Sequence, residues 1–185
     1  MNYRSHPLIR QAAQHIASGG VVAYPTEGVW GLGADPRNQH AVKTILDLKR
    51  RPVSKGVILI AAAVDQFEFI LRHLDAKQRS VLAASWPGPN TWLVPHYDQV
   101  PYWICGDHST VALRVSAHPV VRALCELAGP LVSTSANPQG LPPARVGFKA
   151  RSYFGDRVFY VPGQVNQNAK PSTIRDLMTG AVVRA

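Results

Sequence analysis

Three short stretches hold most of the side chains that could do chemistry. Lys49-Arg50-Arg51-Pro52, with Lys55, places four cations in seven residues. A lysine supplies a point charge and an arginine a bidentate fork, and both suit phosphate or carboxylate. This stretch follows a helical pattern and precedes the unbroken apolar run VILIA at 57–61. Ligands of α/β sheets bind beyond the ends of buried strands, so the stretch is an anion site or a solvated loop. Ser133-Thr134-Ser135-Ala136-Asn137 follows an apolar strand pattern. Hydroxyls and a carboxamide can bond phosphate, carboxylate or ribose without adding charge, and the same residues also build turns. In YPTEGVWGLG at 24–33, Thr26 and Glu27 stand among glycines, as a site rim or as a turn. Arg114 is a lone charge in the apolar stretch VALRV at 111–115 and needs a partner. A bound carboxylate or a structural Asp or Glu would serve.

Several other chemistries find no support. No G-x-x-x-x-G-K-[ST], G-x-G-x-x-G or HExxH pattern occurs, and the seven His lack metal-site spacing. Two cysteines, Cys105 and Cys125, exclude a disulfide scaffold and a four-cysteine zinc site and read as reduced thiols. With no acidic cluster to cage it, a divalent ion such as Mg²⁺ is expected to arrive on substrate phosphates. The 185 residues carry a net charge of +9. The charge is uneven: residues 1–61 are +5, 62–141 are −1 and 142–185 are +5. If the two basic ends meet in space they form a cleft that attracts phosphates. A scattered basic exterior is the other reading.

The elements that must position these residues can be read from periodicity. Residues 7–18 carry Leu8, Ile9, Ala12, Ala13, Ile16 and Ala17 on one helical face, with Gly19-Gly20 as a stop. VVAY at 21–24 reads as a strand and 26–36 as a loop or kinked strand. Asn38 is an N-cap candidate for a helix to Leu48, and 49–56 a basic loop. Residues 57–61 read as a buried strand, 65–72 and 76–84 as helices, and 91–95 and 110–115 as strands around a loop at 96–109. A helix from Pro119, a strand at 130–137, a helix near 145–154, a strand at 157–161, a loop at 162–171 and two terminal strands complete the chain. Length and the absence of a linker predict one domain over 1–185. Irregular alternation of strands and helices predicts a three-layer α/β domain with a mixed sheet. No apolar run reaches the length of a membrane span, and the N-terminus lacks a signal-peptide core, so a cytoplasmic protein with no membrane partner is expected.

Taken together and in order, the stretches YPTEGVWGLGADP, LKRRPVSKGVILIA, WPGPNTW, VALRVSAHP, PLVSTSANPQGLPP and PSTIRD closely resemble the YrdC-type threonylcarbamoyladenylate synthases, in their short bacterial form. The resemblance runs from about residue 7 to 185. It implies a YrdC-like domain: a twisted mixed sheet flanked by helices around a basic central cavity. It also implies an enzyme, a nucleotidyltransferase, that joins L-threonine, bicarbonate and ATP into threonylcarbamoyl-AMP and pyrophosphate. A separate tRNA threonylcarbamoyl-transfer complex would then pass the group to adenosine 37 of tRNA. Residue by residue, Lys49 and Arg51 match the family's K-x-R and would hold the ATP phosphates and stabilise charge during catalysis. Ser135, Ala136 and Asn137 match its S-x-N, and Thr110 and Arg184 match positions near ATP. Thr26, Arg114, Thr134 and Ser172 match positions that grip threonine. Two departures stand out: Gly28 follows P-T-E where a hydroxyl or small apolar residue is common, and 57–60 is apolar where some longer members place a His.

An alternative is a module that binds double-stranded RNA or tRNA by phosphate contacts without ATP chemistry. No RRM or KH signature accompanies it, and aromatics are only 8% of residues, with no stacking-platform pattern. A second alternative is another carbamoyl adenylation, such as that of the large carbamoyltransferases of hydrogenase maturation, whose other parts are missing from this sequence.

Overall fold

The computed structural model describes residues 3–166, 168–169 and 172–184. Its helices are α1 (Pro7–Ala17), α2 (Gln39–Lys49), α3 (Glu68–Leu71), α4 (Ala76–Ser85), α5 (Tyr102–Cys105), α6 (Pro119–Ala128) and α7 (Gly147–Phe154). Its strands are β1 (Val22–Pro25), β2 (Trp30–Gly33), β3 (Ile58–Ala61), β4 (Asn90–Pro95), β5 (Thr110–Val115), β6 (Leu131–Ser135), β7 (Phe159–Tyr160), β8 (Thr173–Asp176) and β9 (Val182–Arg184). Among the described residues they form one sheet in the order β7-β1-β2-β6-β3-β5-β4-β8-β9. The β1–β7, β3–β5 and β4–β8 pairs are parallel and the others antiparallel, so the sheet is mixed as expected.

Strand alternation gives the sheet two apolar faces. On one, Ala23, Leu32, Leu59, Leu113 and Val132 pack with Val42 and Ile45 of α2, Leu82 of α4 and Phe154 of α7. On the other, Val22, Tyr24, Ile60 and Leu131 pack with Ile9, Ala12 and Ile16 of α1 and with Val120, Val121 and Leu124 of α6. The helices α1 and α6 cover only part of this second face. The rest of it is open and becomes the wall of a cavity.

Helix α2 delivers the basic stretch. Asn38 caps it, its side chain accepting from the Ala41 amide at 3.1 Å. The far end closes with the Arg51 amide on the Leu46 carbonyl at 2.9 Å and the Arg50 amide on the Asp47 carbonyl at 3.0 Å. This is the two-bond motif that ends many helices, with Arg50 in the left-handed position (φ 52) that glycine usually takes. The reversal leaves Arg50 exposed while Lys49 is buried and Arg51 half-buried. The middle residue of K-x-R is thus a backbone device and its neighbours carry the chemistry.

Four expectations need correction. Lys49 belongs to the last turn of α2, not to a loop. Trp30–Gly33 is a regular strand, with Trp30, Gly31, Leu32 and Gly33 all buried; its glycines hide the usual β pattern. The stretch 96–109 contains the short helix α5. Leu8 and Ala17 are exposed, so the buried stripe of α1 is narrower than predicted. A left-handed residue with a branched Cβ is strained, so Arg50→Val is expected to lower stability by about 1–2 kcal/mol, whereas Arg50→Gly stays near the parent value. Denaturant midpoints check this, and equal midpoints for the two variants would refute the assignment.

Candidate functional site

The open part of the second face is a cavity of about 590 Å³, within the usual range for small-molecule sites. Its wall includes Thr26, Lys49, Arg51, Thr110, Arg114, Thr134, Ser135, Asn137, Ser172 and Arg184. Thus ten of the eleven residues to which the family resemblance gives a role converge on one space, from both basic ends of the chain. Ala136 does not join them. Its side chain is fully buried in the core, its amide donates to the Trp30 carbonyl, and its own carbonyl accepts from the Ala144 amide. Among the described residues, five Lys or Arg side chains line the wall (Lys49, Arg51, Lys55, Arg114 and Arg184) and no Asp or Glu does.

Lys49 is buried, and it does not pair with a carboxylate. Its Nζ donates to the Ser135 carbonyl and, at 2.7 Å, to the Asn137 carbonyl. The Lys49 carbonyl accepts from the Gln139 amide at 2.7 Å. An ammonium has three donors, so one remains for the cavity. Burial, and then the neighbouring Arg51, push the Lys49 amine down to about 8. Arg51 likewise uses backbone, donating to the Gly56 carbonyl at 2.9 Å and the Lys55 carbonyl at 3.1 Å. Burial and the nearby Arg184 lower its guanidinium. Asn137 donates through Nδ2 to the Leu141 carbonyl at 2.6 Å, while its buried Oδ1 has no partner among the described residues.

The other end of the cavity is built differently. Arg114 pairs with Glu27, Nη2 to Oε2 at 2.5 Å, and its Nε donates to the Gly88 carbonyl at 3.1 Å. The Nη2–Oε2 approach is an ion pair rather than an aligned hydrogen bond, since neither atom has a hydrogen-bond partner among the described residues. Glu27 also accepts from Ser116 Oγ at 2.8 Å and the Ala117 amide at 3.2 Å. Burial alone would raise the Glu27 carboxyl, but the Arg114 charge and the Ser116 bond outweigh it and hold it below its ordinary value. The structural carboxylate was one of two readings of Arg114 from sequence, and it is the one found. Arg114 therefore has a resident partner, so the amino-acid carboxylate implied by the resemblance is not a missing one. Thr26 Oγ1 donates to the Val29 carbonyl at 2.7 Å, and Ser172 Oγ accepts from Thr91 Oγ1 at 2.9 Å.

Cys105 and His108 on the wall carry no signal in the sequence, and although Glu27 and Ser133 stand in the candidate stretches, the pairing of Glu27 with Arg114 is seen only in the structure. Glu27 and Arg114 are each isolated charges in apolar or glycine-rich stretches, and that shared oddity was the available signal. Ser116 carries no such mark. Val57 and Ile58 line the cavity, so the apolar departure on β3 faces the site. Among the described residues no group of three or more His, Cys, Asp and Glu comes together.

The ion pair carries a pH signature. A carboxyl lowered on folding contributes stability that is complete above its ordinary range, near 4.5, and is lost as pH falls through the folded value. Glu27→Gln is expected to lower stability at neutral pH by about 3 kcal/mol, because it leaves a buried guanidinium without its counter-charge. The gap should shrink toward zero once the pH has fallen from neutral to below the lowered folded value, where the parent carboxyl is protonated as well. Urea midpoints at the two pH values measure it, and a gap of equal size at both would contradict the pairing.

Comparison with known proteins agrees with this fold. The family model for Sua5, YciO and YrdC, described as "Telomere recombination", matches residues 14–185. A threonylcarbamoyl-AMP synthase of Saccharophagus degradans is 52% identical over 186 residues, covering 100% of this chain and 97% of that protein. The crystal structure of P. abyssi Sua5 complexed with L-threonine superposes with a TM-score of 0.86 at 33% identity over 94% of this chain, which spans 52% of that protein. E. coli YciO superposes with a TM-score of 0.84 at 26% identity, over 96% of this chain and 88% of its own. With a family model over most of its length and a relative half identical throughout, the chain belongs to the Sua5/YciO/YrdC family.

Proposed function

We propose that the protein is a threonylcarbamoyl-AMP synthase, a nucleotidyltransferase acting on L-threonine, bicarbonate and ATP. The observation that carries this reading is the cavity's two-ended electrostatics. One end has Lys49 and Arg51 bonded only to carbonyls, so their charge is available to phosphates. The other has Arg114 on the wall, its charge balanced by Glu27 from outside the wall, so a ligand that is neutral overall, such as an amino acid, is suited to that end. The name of the S. degradans relative and the threonine bound to P. abyssi Sua5 point the same way. No helix among the described residues is long and apolar enough to cross a membrane. Work as a single domain in the cytoplasm is part of the proposal.

In this reading the triphosphate lies along Lys49 and Arg51. The unpartnered Asn137 Oδ1 accepts from a nucleotide donor, with Thr110, Ser135 and Arg184 beside it. Mg²⁺ arrives with the phosphates and supplies further charge neutralisation there. Thr26, Arg114, Thr134 and Ser172 hold threonine. The threonine amine attacks bicarbonate, forming the carbamate and releasing water. A carbamate oxygen then attacks the α-phosphorus and pyrophosphate leaves. The protein contributes alignment of reactants and fixed positive charge where negative charge builds. Transfer of the product to tRNA by a separate complex, with or without direct tRNA contact, belongs to the same proposal.

The test is pyrophosphate release from ATP with threonine and bicarbonate omitted in turn, plus mass detection of the adenylate. Release that needs both substrates is the expected result. None from folded, magnesium-supplied protein would overturn the reading, and salt-sensitive RNA binding would then favour the RNA module. Lys49→Met and Arg51→Ala are each expected to cut the rate by about 100-fold or more while remaining folded; full activity in either would remove its role. Because only the protonated Lys49 attracts phosphate, ATP affinity should fall as pH rises through about 8. Calorimetry on Lys49→Met should show weaker binding with that step gone, and a step that survives the substitution would assign it elsewhere.

A further inference from the structure

Ser133 sits on the cavity wall and is 8% exposed. Its Oγ accepts from the Tyr24 hydroxyl at 2.8 Å. The direction of that bond is fixed by surroundings. Tyr24 is fully buried, and Ser133 is the one partner its hydroxyl has among the described residues. Burial also raises the phenol well above its ordinary value, so it stays protonated and donates. The contact spans an intervening strand, because Tyr24 lies on β1 and Ser133 on β6 with β2 between them. Gly33 makes this possible: a Cβ there would lie 2.7 Å from the Tyr24 ring and 2.9 Å from the Val132 carbonyl. With one of its two lone pairs engaged by Tyr24, the Ser133 hydroxyl keeps its own proton to give, and among the described residues no acceptor receives it.

The sheet register says what that proton faces. On β5, Thr110, Ala112 and Arg114 share one face at three successive levels. The middle level runs from Ala112 through Ile58 to Ser133. The level on one side holds Thr110 and, two residues along β6, Ser135, near the Lys49 end. The level on the other side holds Arg114. A hydroxyl donor therefore stands between the phosphate end and the amino-acid end. In the reaction proposed above, the unit between threonine's nitrogen and the α-phosphorus is the one derived from bicarbonate.

We infer that Ser133, oriented by Tyr24 across Gly33, donates a hydrogen bond to an oxygen of the bicarbonate or carbamate unit. The inference rests on the synthase reading and adds a binding residue and a positioning residue to it. A donor to an anionic oxygen typically contributes enough that its loss weakens binding by about tenfold or more.

The experiment is pyrophosphate release in degassed buffer with bicarbonate, threonine and ATP varied separately. For Ser133→Ala the KM for bicarbonate should rise about tenfold, with those for threonine and ATP within about twofold. Ser133→Thr, which keeps the hydroxyl, should restore most of the loss. Ser133→Ala leaves a buried phenol unpaired, so Tyr24→Phe/Ser133→Ala is the partner variant, apolar on both sides and expected to fold and show the same bicarbonate defect. Tyr24→Phe alone should raise the bicarbonate KM by less, since the serine is then free to turn. A rise confined to threonine, or no change in bicarbonate KM for either serine variant, overturns the inference and leaves the synthase reading intact. Parent enzyme with no bicarbonate-dependent release overturns both.

Discussion

The site depends on how one buried ammonium is satisfied. Lys49 could have been neutralised by a carboxylate, as buried lysines often are. Instead it bonds the carbonyls of Ser135 and Asn137, and its own carbonyl receives the Gln139 amide. These contacts bind the end of α2 to the turn after β6 and set the distance between the K-x-R and S-x-N stretches. They also preserve the charge. Carbonyl oxygens stabilise an ammonium without cancelling it, so the field extends into the cavity. Burial makes that charge harder to hold, which is why the amine titrates near 8. Arg51 repeats the scheme on the Lys55 and Gly56 carbonyls.

The opposite solution at Arg114 gives the cavity its direction. There the cation has a carboxylate partner, and that carboxylate is held by a hydroxyl and an amide from the segment after β5. A ligand meets strong positive charge at one end and a balanced pair at the other. The polarity comes from the choice of partners, since cations stand at both ends. Hydroxyls fill the ground between them, and they add direction without charge.

Much of this was legible in the residues. The α2 periodicity and the Asn38 cap placed a helix before the basic stretch, and the VILIA run placed a buried strand after it. The hydroxyl-rich turn after 130–132 and the lone Arg114 also marked the wall correctly. What stayed hidden depends on tertiary contacts. Nothing local reveals that Lys49 closes a helix and turns inward, since Arg50 takes a backbone conformation that arginine rarely adopts. Trp30–Gly33 reads as a loop or a kinked strand because glycines serve there to admit the Tyr24 ring and a neighbouring carbonyl. Ala136 sits between two residues on the wall, yet its own side chain lies in the core. The Glu27 partnership joins residues far apart in sequence and needs the sheet order to be seen.

The sheet order has a kinetic consequence. β1 pairs with β7, β2 and β3 with β6, and β4 with β8, so most strand contacts join distant parts of the chain. Loop closure must precede the gain from such contacts, which makes a topology of high contact order slow to fold. The cavity is lined from β2, β3, β4, β5, β6, β8 and β9 and has no wall of its own until those closures are complete. Helices α1, α2 and α6 can form early from local sequence. Recovery of ligand binding after dilution from denaturant will therefore trail recovery of helical signal, and a nascent chain acquires its site only near the end of folding.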